Sequence, residues 1–210
     1  AGPWNSVDGS NGTIVNNLVD VTGAVTSVAV THNGGNANFF TNNAGTLGDD
    51  EKLMDDLQDV GAPPNISTMD FSGLANGFYR VRAYAWAPDN RSGFTTTVTV
   101  TGGSTGARML GGAWTGSHVL GVTYAEDTVS VTTGTLQIQF AATVGFGSLN
   151  GVQLEPGGTQ TTSFCTAKTG LTCGVPQISA SGTSSAAASS GFAVSAGPAR
   201  QNKSGILLYN

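Results

Sequence analysis

The sequence predicts an all-β protein: a jelly-roll-like β-sandwich with one short helix, followed by a small disulfide-containing C-terminal β segment. Three observations carry this. Runs rich in Val, Thr and aromatic residues recur at roughly 8–12-residue spacing between Gly and Asn turns. Only one segment has helical periodicity. Charged residues make up 10% of the chain and Gly numbers 31, against about 25% charged in an ordinary soluble domain. β-Branched side chains suit pleated, half-buried surfaces, whereas Gly and Asn suit tight turns.

Taken in order, residues 13–31 alternate as two strands, TIVNNLV and AVTSVAVT, joined by Asp20-Val21-Thr22-Gly23. A Gly- and Asn-dense loop runs from His32 to Gly48. The helix is expected over residues 49–59, capped by Asp49, with Leu53, Met54, Leu57 and Val60 on one face and Pro63-Pro64 as its stop. The strands ISTMDFS, GFYRVRAYAW, FTTTVTVTG, SHVLGVTY, DTVSVTT and TLQIQFA follow. In the last, Leu136, Ile138 and Phe140 are expected to face the core, with Gln137 and Gln139 outward. The closing GSLNGVQLEP reads as a strand kinked at Asn150-Gly151.

Composition shifts at Glu155-Pro156-Gly157-Gly158. The expected organisation is a sandwich over 1–156, a linker over 157–162, and a C-terminal segment over 163–210 that is either truncated or packed on a partner. About 48 residues make a small independent core. Cys165 and Cys173, eight positions apart in FCTAKTGLTC, are expected to form a disulfide. A redox pair would usually be Cys-x-x-Cys, and zinc would need more ligands. The disulfide implies an oxidising compartment. The opening Ala1-Gly2-Pro3 is that expected of a mature or trimmed product.

A net charge of −5 with eight scattered Lys and Arg residues argues against nucleic acid as a partner. No apolar run approaches the roughly 20 residues of a membrane helix. Six of the thirteen acids lie between Asp49 and Asp59, where they read as a solvated helix face. A structural calcium ion on Asp49, Asp50 or Asp20 is the other reading, and no further cofactor is expected. His32 and His118 are the only side chains that ordinarily titrate near neutral pH. His118 is expected to end a turn, and His32 lies in a loop from which it could reach a ligand. Nothing here assembles a catalytic set, so the chain is expected not to be an enzyme.

Three stretches carry a resemblance: WNSVDGSNGTIVNNLVDVTGAVTSVAV, YRVRAYAWAPDNRSGFTTTVTVTG, and GGAWTGSHVLGVTY with VGFGSLNGVQLEP. Together they resemble a secreted β-sandwich type of the surface and exported proteins of planctomycete-like bacteria. The last is also similar to the closing strand of malectin-like and family-6-like carbohydrate-binding sandwiches. The tail from Phe164 resembles the start of a C-terminal module of the same exported proteins, normally longer. The resemblance implies a secreted or cell-surface setting.

Alternation in GFYRVRAYAW separates Tyr79, Val81, Ala83 and Ala85 from Arg80, Arg82, Tyr84 and Trp86. The second set continues into Asp89, Asn90 and Arg91. If open to solvent, Trp86 and Tyr84 would stack on sugar rings, while Arg82, Asp89, Asn90 and Arg91 meet hydroxyls. The alternative is that both aromatics lie under a second layer or the helix, with arginine stems over them. Trp114, flanked by glycines, is expected at an exposed rim, and Trp4 is expected to pin the N-terminus to the core. The function these features predict is a non-catalytic extracellular module binding a glycan or cell-surface polymer. A second reading is a structural subunit of a bacterial surface layer, fibre or filament, self-associating by β-strand pairing through an end such as Ile206–Tyr209. A third is an accessory domain of a secreted hydrolase.

Overall fold

A computed structural model of the protein describes residues 3–9, 11–89, 92–157, 177–181 and 193–197. The chain forms two compact units, Ala1–Pro156 and Gly157–Asn210.

The elements of the first unit, in chain order, are β1 (Thr13–Val15), β2 (Ala29–Gly34), β3 (Ala37–Phe40), α1 (Asp49–Met54), β4 (Asp56–Gly61), β5 (Ile66–Ser72), β6 (Gly77–Tyr84), β7 (Thr95–Val100), β8 (Arg108–Gly111), β9 (Tyr124–Val131), β10 (Leu136–Val144), β11 (Gly147–Leu149) and β12 (Gly151–Pro156). One antiparallel sheet runs β1-β2-β5-β10-β7-β8, and two three-stranded sheets run β11-β4-β3 and β12-β6-β9. This is the β-sandwich with one short helix that the sequence predicts.

The larger of two buried apolar clusters joins the sheets. Val30, Phe71, Val98, Leu136, Ile138 and Phe140 of the six-stranded sheet pack with Tyr79, Val81, Ala83 and Val129 of β6 and β9, and with Val60 and Leu149 of β4 and β11. Leu136, Ile138 and Phe140 are buried as the alternation requires, between β5 and β7. Each such side chain contributes about 1.5–3 kcal/mol on burial. The Tyr79 hydroxyl donates to Ala75 O at 3.0 Å, so its apolar ring enters the core without an orphaned polar atom.

The kink at Asn150 moves the chain from one sheet to another: β11 pairs with β4, and β12 pairs with β6. Asn150 secures that step. Its backbone N–H donates to Tyr84 O, and its Oδ1 accepts the Trp86 N–H at 2.6 Å. Gly34 solves a close approach elsewhere. At φ 79° it ends β2 where an added Cβ would stand 2.2 Å from Ile66 O.

Several expected elements differ. The helix ends at Met54, and its N-cap is Gly48 with no side-chain cap bond. Residues 56–61 are strand β4, paired with both β3 and β11. The spacing of Leu57 and Val60 suits a helix, but two strand partners satisfy this backbone and override local preference. The expected loop from His32 onward contains the end of β2 and all of β3. In the first strand only Thr13–Val15 is regular. Val19 makes an isolated bridge to Val25, and the Asn5 side chain substitutes for a strand there, donating to Val19 O and accepting from Val19 N, both at 2.8 Å. SHVLGVT is a bridge and turns, closed by Val122 and Thr123 N–H groups on Val119 O, and Tyr124 begins β9. His32 belongs to β2 and is buried, its Nε2 2.6 Å from Ser67 Oγ; it does not face a ligand.

In the second unit β13 (Gln177–Ser181) and β14 (Ala193–Gly197) pair antiparallel, Ser179 opposite Ser195. Cys165 and Cys173 lie outside the described residues.

Candidate functional site

The expected sugar platform is covered. Trp86 is 1% exposed and Tyr84 8%. Leu53 and Met54 of α1 form a buried cluster with both rings, with Trp114 and Tyr124 packed against it. The Trp86 indole N–H donates to Gly112 O at 2.9 Å, and the Tyr84 hydroxyl donates to Gln153 Oε1 at 3.1 Å. Burial pushes the Tyr84 phenol above its ordinary range. These rings therefore hold the helix on the sheet, as in the covered alternative.

The arginines are also engaged. β6 is the middle strand of its sheet, with Arg82 opposite Glu126 on β9 and Arg80 opposite Glu155 on β12. Arg82 Nε lies 2.8 Å from Glu126, and Arg80 Nη1 lies 3.3 Å from Glu155. Two further contacts, Arg80 to Glu126 at 4.0 Å and Arg82 to Glu155 at 3.6 Å, close a four-charge network. The face is electrically balanced within itself.

Trp114 is half-buried rather than at an open rim. Its N–H donates to Gly45 O at 2.9 Å, and its ring stands edge-on to His118 with centroids 5.6 Å apart. Trp4 makes an edge contact with Tyr84 but is 39% exposed and lies outside the core expected for it.

The structure opens a different cleft, of about 340 Å³, lined by Phe39, Leu57, Asp59, Ala87, Pro88, Asp89, Phe94, Phe146, Gly147 and Ser148. Its floor is one face of the sheet β11-β4-β3. Register sets Phe39 opposite Leu57 and Ser148 opposite Asp59, and residues 57 and 59 share a face because side chains alternate. Its wall is the loop after β6, tied by Asn43 Nδ2 to Pro88 O at 2.7 Å. Phe94 and Phe146 close one side, with ring centroids 5.7 Å apart. Gly145, at φ 63°, permits this pairing, because an added Cβ would stand 2.2 Å from the Phe94 ring. Phe39 is 44% exposed and Phe146 47%, so both rings remain open to a ligand.

The carboxylates in the cleft are acceptors, and the Ser148 hydroxyl can both donate and accept. Asp59 Oδ1 accepts the Gly61 N–H at 2.7 Å, and Oδ2 accepts from Asn36 Nδ2 at 3.2 Å. Among the described residues, Asp89 is the one expected ligand-binding residue that lines this cleft; Asn90 and Arg91 lie outside them. Phe39, Phe94, Phe146 and Asp59 were not among the expected site residues. The available signal was aromatic residues set in turn-rich stretches, as in GGNANFF and VGFGSLNG.

Two catalytic-looking arrangements prove structural. His118 Nε2 lies 3.1 Å from Asp50 Oδ1, without hydrogen-bond geometry, and Nδ1 lies 3.4 Å from Thr123 Oγ1. This hydroxyl–imidazole–carboxylate string lacks a usable nucleophile, since Thr123 is fully buried and accepts the Val119 N–H at 2.9 Å. Residues 102–106 also have the G-x-S-x-G spacing of a nucleophile elbow, a match outside the expectations above. They occupy the turn between β7 and β8, with no helix following, and Ser104 Oγ donates to buried Asp127 at 2.9 Å.

For metals, Asp20 Oδ1 is occupied by the Thr22 and Ala24 N–H groups and the Thr22 hydroxyl. Among the described residues no three His, Cys, Asp or Glu side chains gather into a metal-binding group.

No protein-family model and no curated protein matches the chain. Among solved structures, a calcium-binding mutant of Bacteroides uniformis β-glucuronidase 2 is similar with a TM-score of 0.40 and 16% identity, over 60% of this chain and 14% of that one. Bacteroides uniformis β-glucuronidase is similar with a TM-score of 0.36 and 15% identity, over 60% and 13%.

Proposed function

We propose that the protein is a non-catalytic extracellular module that binds a glycan or cell-surface polymer, and that the Phe39–Asp59–Phe146 cleft is its binding site. The observation that carries this reading is the pairing of half-exposed Phe rings with fixed oxygen acceptors in one concave space. Sugars offer an apolar C–H side to aromatic faces and hydroxyl donors at the ring edge. The cleft volume lies at the small end of ligand pockets, suited to one unit of a longer chain. A glycosidase would need a carboxyl that gives its proton to the leaving oxygen. Both oxygens of Asp59 already accept amide N–H bonds, which supports binding over hydrolysis.

The test is retention on immobilised and soluble polysaccharides by affinity electrophoresis. Phe146→Ala and Phe39→Ala should each weaken retention by about 1–3 kcal/mol while the dichroism spectrum is unchanged. Retention that ignores both substitutions would place the site elsewhere.

One observation favours assembly as the second reading. β3 is an edge strand exposed along its whole length, with Phe40 81% exposed. Such an edge invites another strand. Phe40→Lys should then dissociate any oligomer seen by light scattering, and a monomer with Phe40 intact would discard this reading.

A further inference from the structure

We infer that the cleft selects a free hydroxyl of the glycan and that Ser148 is the residue that reads it. One ligand hydroxyl donates to the Asp59 carboxylate and accepts from the Ser148 hydroxyl, so a sugar unit acylated at that position is turned away. This rests on the glycan reading above and names the group by which the ligand is chosen.

Three features converge. First, Ser148 faces the cleft. Its neighbour Leu149 belongs to the core, and alternation along β11 turns Ser148 to the other face of the sheet. There it stands opposite Asp59 and lines the cleft. Second, its hydroxyl is unused. Ser148 is 5% exposed, and its backbone N–H donates to Thr96 Oγ1 at 2.7 Å, but its Oγ has no hydrogen-bond partner among the described residues. Nor is that oxygen sealed off, as the unpaired Oδ2 of Asp127 is. A hydroxyl so deeply placed and unpaired is a cost to the folded chain, and a ligand group in the cleft removes it. Third, Ser148 and Asp59 are complementary. Directly opposite residues on antiparallel strands keep their Cβ atoms about 4.5–5.5 Å apart, so one ligand oxygen can meet both side chains. Each Asp59 oxygen accepts one amide N–H, whereas a carboxylate has about four acceptor positions. The carboxylate can therefore take a further donor, and the two amide bonds hold it ready. A free hydroxyl donates to Asp59 and accepts from Ser148 at once. An ester oxygen has no proton to give Asp59, and its acyl group must share a cleft of about 340 Å³ with the sugar ring. A site built around a ligand hydroxyl rejects the analogue without it because its own polar groups are left unpaired.

The experiment measures affinity electrophoresis on soluble β-1,4-galactomannan, β-1,4-arabinoxylan, mixed-linkage β-glucan and α-1,6-glucan. Each is used fully de-esterified and again after chemical O-acetylation of most of its units. The polysaccharide that retains the protein should do so about tenfold or more tightly in its de-esterified form. Ser148→Ala should weaken retention on that form, leave the acetylated form as it was, and so narrow the gap severalfold. The urea midpoint of this variant should stay that of the parent, because the hydroxyl has no partner in the fold to lose. Phe146→Ala should weaken both forms alike and keep the gap. If the acetylated form is retained as well as the de-esterified one, the inference is overturned while the glycan reading stands. If the full gap survives in Ser148→Ala, acetylation acts by bulk alone and Ser148 is not the reader. A lowered midpoint in Ser148→Ala would assign the hydroxyl to the fold and overturn its role in selection. If no polysaccharide is retained in either form, the glycan reading fails first and the inference falls with it.

Discussion

On the sheet β12-β6-β9, Arg80 and Arg82 stand between Glu126 and Glu155, and the aromatics at the end of β6 lie beneath α1. On the sheet β11-β4-β3, Asp59 stands beside Ser148, and Phe39 and Phe146 remain open to solvent. Both surfaces combine aromatic rings with charged side chains. In the first, cross-strand register brings each charge to an opposite charge, and the helix covers the rings. In the second, register brings an acid to a serine, and the neighbouring loop leaves a gap instead of a lid. A run of aromatic and charged residues marks a surface of consequence, but only its neighbours decide whether it is spent on stability or left for a ligand.

The largest expected effect is at Trp86. If it is a buried anchor, Trp86→Ala should cost about 3–5 kcal/mol in denaturant unfolding, with retention on polysaccharide intact in the folded fraction. A variant of normal stability that no longer binds would restore Trp86 as a platform and reverse the comparison.

Asp127 sharpens the contrast with the half-buried carboxylate of Asp59. It is buried on β9, and its Oδ1 accepts from Ser104 N, Thr105 N, Thr128 N and the Ser104 hydroxyl. Burial by itself would raise its pKa, but the hydrogen bonds from Thr105, Ser104 and Thr128 outweigh it, and the carboxyl is held below its ordinary range. A depressed folded-state value stabilises the fold above the unfolded carboxyl's range, near about 3.9, and that stability is lost as pH falls toward the folded value. Urea unfolding at decreasing pH should therefore show a loss below about pH 4 that Asp127→Asn reduces. The substitution itself should cost about 1–3 kcal/mol at neutral pH. An unchanged pH profile would remove Asp127 from this role.

The smallest effect is expected at Arg82. Its ion pairs are partly exposed, and such pairs contribute about 0–1 kcal/mol. Arg82→Ala should lower stability by no more than about 1 kcal/mol and leave retention unchanged. Weakened retention would show that the balanced face also meets ligand.

Much of the sandwich was legible because burial on one face of a strand imposes period two. Leu136, Ile138 and Phe140, and Tyr79, Val81 and Ala83, are inside as their alternation required. The kink at Asn150 was legible as well, though its task of passing the chain between sheets was not. Residues 56–61 misled for a physical reason. Leu53, Met54, Leu57 and Val60 repeat at helical spacing, yet β3 and β11, one preceding and one far along the chain, supply the strand partners. Of the expected residues, Asp89 lines the cleft while Trp86 is covered, and the sequence does not show the cover, since an aromatic at a strand end reads the same with or without a helix above it.

What the sequence determined alone is the class of fold and the character of its surface. Those follow from local preference and period: β-branched runs, glycine turns and few charges. The tertiary structure decided which polar groups are used up and which remain. That choice depends on pairs such as Arg82 with Glu126, or Trp86 with Gly112, separated along the chain and joined only when the sheets close. Phe39, Asp59, Phe94 and Phe146 come from four separate stretches, and no local pattern places them in one cleft.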